Sequence, residues 1–245
     1  MSVHSHLPLF RQLTERELQS RFAGSALGLV WALIGPLLLL AIYSFVFGQL
    51  FAPRAPDLGT ESYTMFVAVA LWPWMMFADG VLRGLTAIQA NGSLVKKVAF
   101  PHWLLVAASV SATFALHLLG FCAVLVVLAL AGMPVRFSGI PLAALYLVLL
   151  FGITLGLAAI LAALQTLLRD VEMAVTPAVM MLHFLTPVLY PLALIPEAWR
   201  GAFALNPLAG VIGGIRGALL GGAVEHAGAL AVGVLTAGIA LALGS

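Results

Sequence analysis

Residues 103–131 read WLLVAASVSATFALHLLGFCAVLVVLALA and contain no Asp, Glu, Lys or Arg. One helical crossing of a bilayer core needs about 20 predominantly apolar residues, and this stretch is longer than that. Because lipid offers no hydrogen-bond partners, the backbone of such a segment must satisfy its N–H and C=O groups internally, which a helix does. The stretch therefore predicts a membrane-spanning α-helix.

The same scarcity of charge extends over the whole chain of 245 residues. Charged residues make up 8% and apolar residues 63%, whereas soluble domains are about 25% charged. This composition excludes a water-soluble globule. The net charge is +2 and no basic stripe is present, so no nucleic-acid partner is predicted. The length fits a single transmembrane domain over residues 1–245.

Long apolar runs divide the chain into six predicted spans, which indicates an all-α polytopic membrane protein. Their approximate limits are 26–51, 63–90, 103–131, 140–167, 174–195 and 223–243. An even number of spans places both termini on one side of the membrane. The positive-inside rule favours the cytosol, because that choice puts seven of the eleven basic residues inside: Arg11, Arg16, Arg21, Arg83, Lys96, Lys97 and Arg169.

Residues 8–22 carry a broad, imperfect apolar face beside charges of both signs. The apolar positions are Leu9, Phe10, Leu13, Leu18 and Phe22. This pattern is typical of a helix that lies on the inner leaflet, although a plain polar tail would have a similar composition. We expect an amino-terminal interfacial helix.

Residues 196–222 are apolar but do not fit a simple span. An Arg near the centre of a helix, such as Arg200 or Arg216, costs about 2.5–3.5 kcal/mol on insertion scales. Asn206-Pro207 would also break a helix at its middle. We therefore expect a re-entrant pair of short helices on the outer face, and the candidate residues of this outer gate are Asn206, Pro207 and Arg216.

Motifs for catalysis or cofactor binding are absent from the sequence. Its only lysines, Lys96 and Lys97, do not follow a phosphate-binding loop of the form G-x-x-x-x-G-K-[ST]. The six histidines are scattered. The sequence therefore predicts no catalytic residue, no cofactor-binding residue and no metal ligand in this chain.

Charged and aromatic residues inside the spans are the remaining candidates for function. Asp79 and Arg83 stand four residues apart and could form an intramembrane ion pair on one helix face. Aromatic residues gather at the outer halves of the first two spans. They fit either an interfacial aromatic belt or the wall of a conduit for sugar rings, and the candidates are Tyr43, Phe47, Trp72, Trp74 and Phe77.

One inner loop, residues 91–102, carries a specific motif. Its sequence Asn91-Gly-Ser-Leu-Val-Lys-Lys-Val-Ala-Phe-Pro101 resembles the N-x-x-L-x-x-K-x-x-F-P motif of permease subunits from bacterial ABC exporters of surface polysaccharides. Further similarities follow in order along about 200 residues. They are Arg21 to Trp31 with Pro36, Arg169-Asp170-Val171, Thr186-Pro187, Tyr190-Pro191, Asn206-Pro207 and Arg216.

This resemblance implies a transport subunit without its own ATP site, most similar to O-antigen (lipopolysaccharide) exporters. It implies two copies of the chain, two copies of a separate ATPase that binds ATP and Mg, and an undecaprenyl-linked polysaccharide as cargo in the bacterial inner membrane. The inner loop would then be the coupling segment, which contacts the ATPase through Leu94, Lys96, Lys97, Phe100 and Pro101. Residues 196–222 would form the outer gate.

Other functions stay open on the sequence. A permease of the same architecture could move capsule polysaccharide, teichoic acid, or a drug or lipid. A membrane-embedded lipid-carrier enzyme would need carboxylates or histidines clustered at a membrane face, and the sequence lacks such a cluster.

Overall fold

A computed structural model describes residues 7–23, 28–46, 60–97 and 100–221, together with Gly238. Over these residues the regular structure is helical, in agreement with the expected all-α class. The α-helices are α1 (Leu7–Phe22), α2 (Leu29–Phe45), α3 (Thr60–Ala90), α4 (Gly92–Lys97), α5 (Trp103–Leu130), α6 (Ile140–Leu167), α7 (Val171–Leu185), α8 (Glu197–Ala204) and α9 (Pro207–Leu220). Single 3₁₀ turns span Phe137–Gly139 and Leu192–Leu194.

Three helical segments are long and apolar enough to cross a bilayer: Tyr63–Ala90, Trp103–Leu130 and Phe137–Leu167. They agree with the second, third and fourth predicted spans. The first predicted span corresponds to the shorter helix α2. The sixth, 223–243, lies outside the described residues except for Gly238. Six spans therefore remain a prediction.

Helix α3 is the central element of the bundle. In its most apolar stretch of 18 residues, 78% of the residues are buried, against 33% in the corresponding stretches of the α5 and α6 segments. It contacts α2, α5, α6, α7 and α9. Because all of these neighbours pack on one helix, its side chains form most of the apolar core, including Val67, Leu71, Trp72 and Phe77.

Two glycines let α3 approach α6 closely. A Cβ added to Gly80 would lie 2.6 Å from Thr154 Cγ2, and one added to Gly84 would lie 2.6 Å from Ala158 Cβ. Glycines four residues apart are a common device for close helix packing in membranes. The backbone of α3 at Gly80 and Gly84 therefore lies directly against side chains of α6.

The fifth predicted span, 174–195, is not α-helical after Leu185. Helix α7 ends at Leu185, and Thr186 has an extended backbone with φ −105° and ψ 128°. The cause is Pro187, which disfavours helical geometry at the residue before it and has no N–H to donate. The chain then runs without α-helical structure until α8 begins at Glu197.

Candidate functional site

The predicted coupling segment folds as a short helix between α3 and α5. Helix α4 starts after Asn91, whose carbonyl accepts hydrogen bonds from Leu94 N at 2.9 Å and Val95 N at 3.1 Å. Pro101 then opens α5, since its carbonyl accepts a hydrogen bond from Leu104 N at 3.1 Å. One short helix of six residues therefore lies between α3 and α5.

The five predicted coupling residues divide into two groups. Lys96 and Lys97 are exposed at the end of α4. Leu94 and Phe100 are partly buried and pack into the inner cluster, an apolar group that joins α1, the last turns of α3 and the first turns of α5. Pro101 is partly buried as well. The lysines are therefore accessible to a partner, whereas the apolar residues attach the segment to the bundle.

Helix α1 packs on α5. Leu13 is buried in the inner cluster. Arg21 is 6% exposed and its Nη2 donates to Ser109 O at 3.2 Å and Thr113 Oγ1 at 2.7 Å. Burial lowers the pKa of Arg21, the nearby Arg83 acts in the same direction, and Glu17 opposes both. The first helix is therefore docked on the bundle, and its predicted position on the inner leaflet stays a prediction.

Asp79 pairs with a different residue from the one predicted. Its Oδ2 lies 2.9 Å from His117 Nε2 on α5, and the ion pairs among the described residues do not join it to Arg83. Arg83 is exposed one turn further along α3. The i, i+4 spacing allowed a contact along one helix, but the packing of α3 on α5 supplies a closer partner in His117, which is 8% exposed.

Most of the candidate conduit aromatics lie in the core of the chain. Trp72, Trp74 and Phe77 are 0%, 5% and 1% exposed. Trp74 packs against Phe77 and against His183 of α7, with ring centroids 5.6 Å and 5.0 Å apart. Tyr43 of α2 also stacks with His183, with ring centroids 6.4 Å apart. These residues join three helices, which does not support contact with sugar, and Phe47 lies outside the described residues.

The chain after α7 leaves the helix, yet each backbone carbonyl from Phe184 to Leu189 has a hydrogen-bond donor. Arg216 supplies two of them, from Nη1 to Pro187 O at 3.1 Å and from Nη2 to Val188 O at 2.9 Å. The other donors are Tyr190 to Phe184, Asn206 to Leu185, Val188 N to Thr186 and Tyr63 to Leu189. Non-helical backbone is tolerated at membrane depth only when protein groups satisfy it. Here five carbonyls are satisfied by side chains and that of Thr186 by the backbone N–H of Val188.

Arg216 also contacts α3. Its Nε donates to Phe66 O at 3.2 Å, and its Cζ lies 3.5 Å from the centroid of the Phe66 ring, a cation–π geometry. A single guanidinium on α9 therefore links that helix to α3 and to the non-helical segment 186–190. This explains an arginine in an apolar helix, because all three of its nitrogens have acceptors.

Asn206 and Pro207 form the break between α8 and α9, as predicted. Asn206 Oδ1 accepts from Leu208 N at 3.0 Å and caps α9, while its Nδ2 donates to Thr186 Oγ1 at 3.0 Å. Pro207 occupies the first turn of α9, where its missing N–H costs nothing. The stretch 196–222 thus contains two short helices, and their position relative to the membrane stays a prediction.

Among the described residues, no group of three or more His, Cys, Asp or Glu side chains could hold a metal ion.

Comparison with known proteins decides the family. The sequence profile of the ABC-2 type transporter family matches residues 8–220, which run from α1 to the end of α9. The chain belongs to the ABC-2 type transporter family. Its three long apolar helices accord with the membrane subunit of such a transporter. The predicted coupling segment follows the last turn of α3, whereas Arg216 of α9 contacts Phe66 in the early turns of α3.

Named relatives of this ABC-2 chain come from several bacteria. It is 32% identical over 218 residues to an O-antigen export system permease protein RfbA of Klebsiella pneumoniae, covering 87% of this chain and 81% of the relative. It is 30% identical to a protein of the same name from Myxococcus xanthus, covering 84% and 78%. The polysialic acid transport protein KpsM of Escherichia coli is 23% identical, covering 86% and 81%.

Sequence reasoning missed three features of this ABC-2 subunit. It did not relate Asp79 to His117, the pair Gly80 and Gly84 to α6, or Arg16 to Asn91. The glycine pair carried a detectable signal, since G-x-x-x-G can be read directly from the sequence. The other two contacts join residues 38 and 75 positions apart, and a single sequence contains no pattern that relates such distant positions.

Proposed function

We propose that this chain is the membrane subunit of an ATP-driven exporter that moves undecaprenyl-linked polysaccharide of the O-antigen type across the bacterial inner membrane. The observation that carries the proposal is the 30–32% identity to O-antigen export permeases over 84–87% of the chain. The match covers both the coupling segment and the outer helices, so it extends over the parts that a transport cycle would use.

The energy source in this proposal is a separate ATPase with its own ATP and Mg. Two exposed lysines at the end of α4 provide a positively charged contact for it. Leu94 and Phe100 are anchored in the inner cluster, so a force applied to the lysines would act on packed helices instead of a free loop. Membrane helices are stiff, and α4 is directly continuous with the turn that ends α3.

The outer gate in this proposal is formed by α8 and α9. Arg216 and Asn206 hold these helices to the non-helical segment after α7 through hydrogen bonds to carbonyls. Hydrogen bonds of this kind can be exchanged for bonds to water or sugar hydroxyls when the helices separate. Opening would therefore expose backbone carbonyls of this segment. These carbonyls could then accept hydrogen bonds from sugar hydroxyls, which favours a carbohydrate cargo over an apolar one.

The active unit is proposed to contain two copies of the chain and two copies of the ATPase, with both termini in the cytosol. A tag at the carboxyl terminus tests the orientation. Labelling is expected only after the membrane is made permeable, and labelling of intact spheroplasts from outside would contradict the six-span topology.

Deletion of the gene in its natural host, followed by complementation, tests the function. We expect the deletion strain to lose surface O-antigen and to accumulate lipid-linked polymer in the cytosol, and we expect an affinity-tagged chain to copurify an ATPase. Unchanged surface polysaccharide together with the absence of a copurifying ATPase would reject the proposal. If the chain were instead a membrane-embedded enzyme, its deletion would impair synthesis of the polymer and not its export.

Capsule polysaccharide is the second candidate cargo. The 23% identity to polysialic acid transport proteins favours it specifically. Export of capsule by the complemented strain, with O-antigen unaffected, would decide for this cargo and leave the transport role intact. Teichoic acid or a drug or lipid would be indicated if both surface polymers were normal and the ATPase still copurified.

A further inference from the structure

We propose that Arg83 and Arg21 form a binding site for the phosphate group of a membrane lipid, where α1 and α3 both pack on α5. The feature that carries the proposal is the meeting of two guanidinium groups from helices far apart in the sequence. The identity of the lipid as the carrier of an exported polymer rests on the proposed function, whereas the site rests on contacts within this chain.

The packing of α3 on α5 places Arg83 level with Thr113. Two contacts define the antiparallel register of these helices: Asp79 Oδ2 lies 2.9 Å from His117 Nε2, and a Cβ added to Gly84 would lie 3.1 Å from Val110 Cγ2. Arg83 stands four residues after the first contact on α3, and Thr113 stands four residues before it on α5. The two residues therefore occupy matching turns of the packed helices.

Arg21 reaches the same level from α1. Its Nη2 donates to Thr113 Oγ1 at 2.7 Å and to Ser109 O at 3.2 Å, and its side chain is 6% exposed. Burial is the largest influence that lowers the pKa of Arg21, and the charge of Arg83 comes next in the same direction. The two guanidinium groups are therefore close enough to repel each other, and an anion bound by both would offset that repulsion.

Arg83 is the member of this pair whose charge is not balanced. It is exposed, and the ion pairs among the described residues do not include it. Arg21 has Glu17 at 3.6 Å, whereas Asp79, one turn before Arg83, pairs with His117. The buried Nε of Arg21 also has no acceptor among the described residues. A phosphate supplies several acceptor oxygens, and a guanidinium binds it through two parallel N–H···O bonds.

The position of Arg83 along α3 fits the depth of a lipid phosphate. Arg83 stands about two turns, or about 10 Å, before α3 ends at Ala90. An arginine placed so near the end of a membrane helix buries its aliphatic stem and extends its charged head to the interface, where lipid phosphates lie. An inner-face anchor would need Arg83 alone, and it does not explain why Arg21 is held at the same level.

Lipid binding to the purified full-length chain tests the site. The probes are undecaprenyl diphosphate, phosphatidylglycerol and undecaprenol, which has no phosphate, each added in uncharged detergent and measured by native mass spectrometry. We expect a phosphate lipid to bind and undecaprenol not to bind. Arg83→Gln should weaken binding about tenfold, as expected for loss of a hydrogen bond to a charged group. Arg83→Lys should restore part of it, since an ammonium binds phosphate as a point charge.

The matched control is Arg11→Gln. It removes an equal charge from an exposed position of α1, where Arg11 pairs with Glu15 at 2.8 Å, and it should leave lipid binding unchanged. Because Arg83 is exposed, the thermal midpoint of Arg83→Gln should equal that of the unaltered chain, and this measurement separates lost binding from lost folding.

The outcomes identify the source of the phosphate. Tighter binding of undecaprenyl diphosphate assigns the site to the carrier lipid, and equal or tighter binding of phosphatidylglycerol assigns it to membrane phospholipid; both support the site. Three results would overturn it: no binding of either phosphate lipid, equal binding of undecaprenol, or equal affinities of Arg83→Gln and Arg11→Gln. Unchanged surface polysaccharide in the deletion strain, with phospholipid binding that still depends on Arg83, would reject the proposed function and leave the site standing.

Discussion

Arg216 Nη2 donates to the carbonyl of Val188 over 2.9 Å, between α9 and the non-helical segment that follows α7. Its Nη1 bonds to the neighbouring carbonyl of Pro187. The fork of a guanidinium fits two adjacent carbonyls, which an ammonium cannot span. The guanidinium of Arg216 on the apolar helix α9 thus satisfies carbonyls that are left without helical partners because the chain leaves helical geometry before Pro187.

Replacement of Arg216 by methionine should destabilise the protein by about 2–4 kcal/mol, because carbonyls that lose their donors inside the protein remain unsatisfied. Arg216→Lys should recover only part of this, since it can reach one carbonyl at a time. Thermal denaturation in detergent measures the effect. Arg200→Met is the control, as that side chain is 47% exposed, and equal losses at both positions would contradict the role of Arg216.

Replacement of Trp72 should reveal core packing instead of cargo binding. Trp72→Ala is expected to cost about 3–5 kcal/mol, the range for truncation of a buried aromatic residue, because Trp72 is 0% exposed. Trp72→Phe should be tolerated, since the indole N–H has no hydrogen-bond partner among the described residues. If Trp72→Ala kept normal thermal stability but lost export, the aromatic conduit would regain support.

A double-mutant cycle should couple Asp79 to His117 and not to Arg83. The expected coupling energy for the Asp79–His117 pair is about 0.5–3 kcal/mol, as for residues in direct contact, because the two side chains lie 2.9 Å apart. The cycle compares Asp79→Ala, His117→Ala and the double variant in thermal denaturation. Coupling of Asp79 to Arg83 instead would restore the ion pair that the sequence predicts.

Addition of a methyl group at Gly84 should separate α3 from α6. Helix propensity alone would favour alanine by about 1 kcal/mol, but its Cβ would lie 2.6 Å from Ala158 Cβ, and neither atom can rotate away. We therefore expect Gly84→Ala to be destabilising. Gly201→Ala, where nothing lies within 4 Å, should be neutral or stabilising, and the opposite order of the two variants would refute the close packing.

We expect variants of the predicted coupling segment to separate loss of ATPase binding from loss of thermal stability. Lys96→Ala with Lys97→Ala should weaken ATPase copurification and leave the thermal midpoint of the chain unchanged, since both side chains are exposed. Phe100→Ala should lower the midpoint, because Phe100 packs into the inner cluster. Normal copurification by the double lysine variant would remove these lysines from the ATPase contact.

The sequence by itself determined the helical class, the three long apolar helices, the break at Asn206-Pro207 and the family. These follow from local physics: uninterrupted apolar runs must be helical in lipid, and Pro207 disfavours helical geometry at Asn206, the residue before it. The opening stretch, 103–131, became α5 with its end displaced by one residue. The motif at 91–101 predicts a coupling segment, and that role stays a prediction.

Only the tertiary structure decided which partner each polar group has and which face of each helix is buried. Asp79 could have paired with Arg83 by spacing, yet the packing of α3 on α5 places His117 closer. Trp72 and Trp74 could have faced a conduit, but α3 is surrounded on several sides and buries both. The hydrogen-bond acceptors of Arg216 are defined only by the packing of α9 against the segment after α7. Contacts between distant parts of the chain depend on how helices pack, and the order of residues along one helix does not specify that.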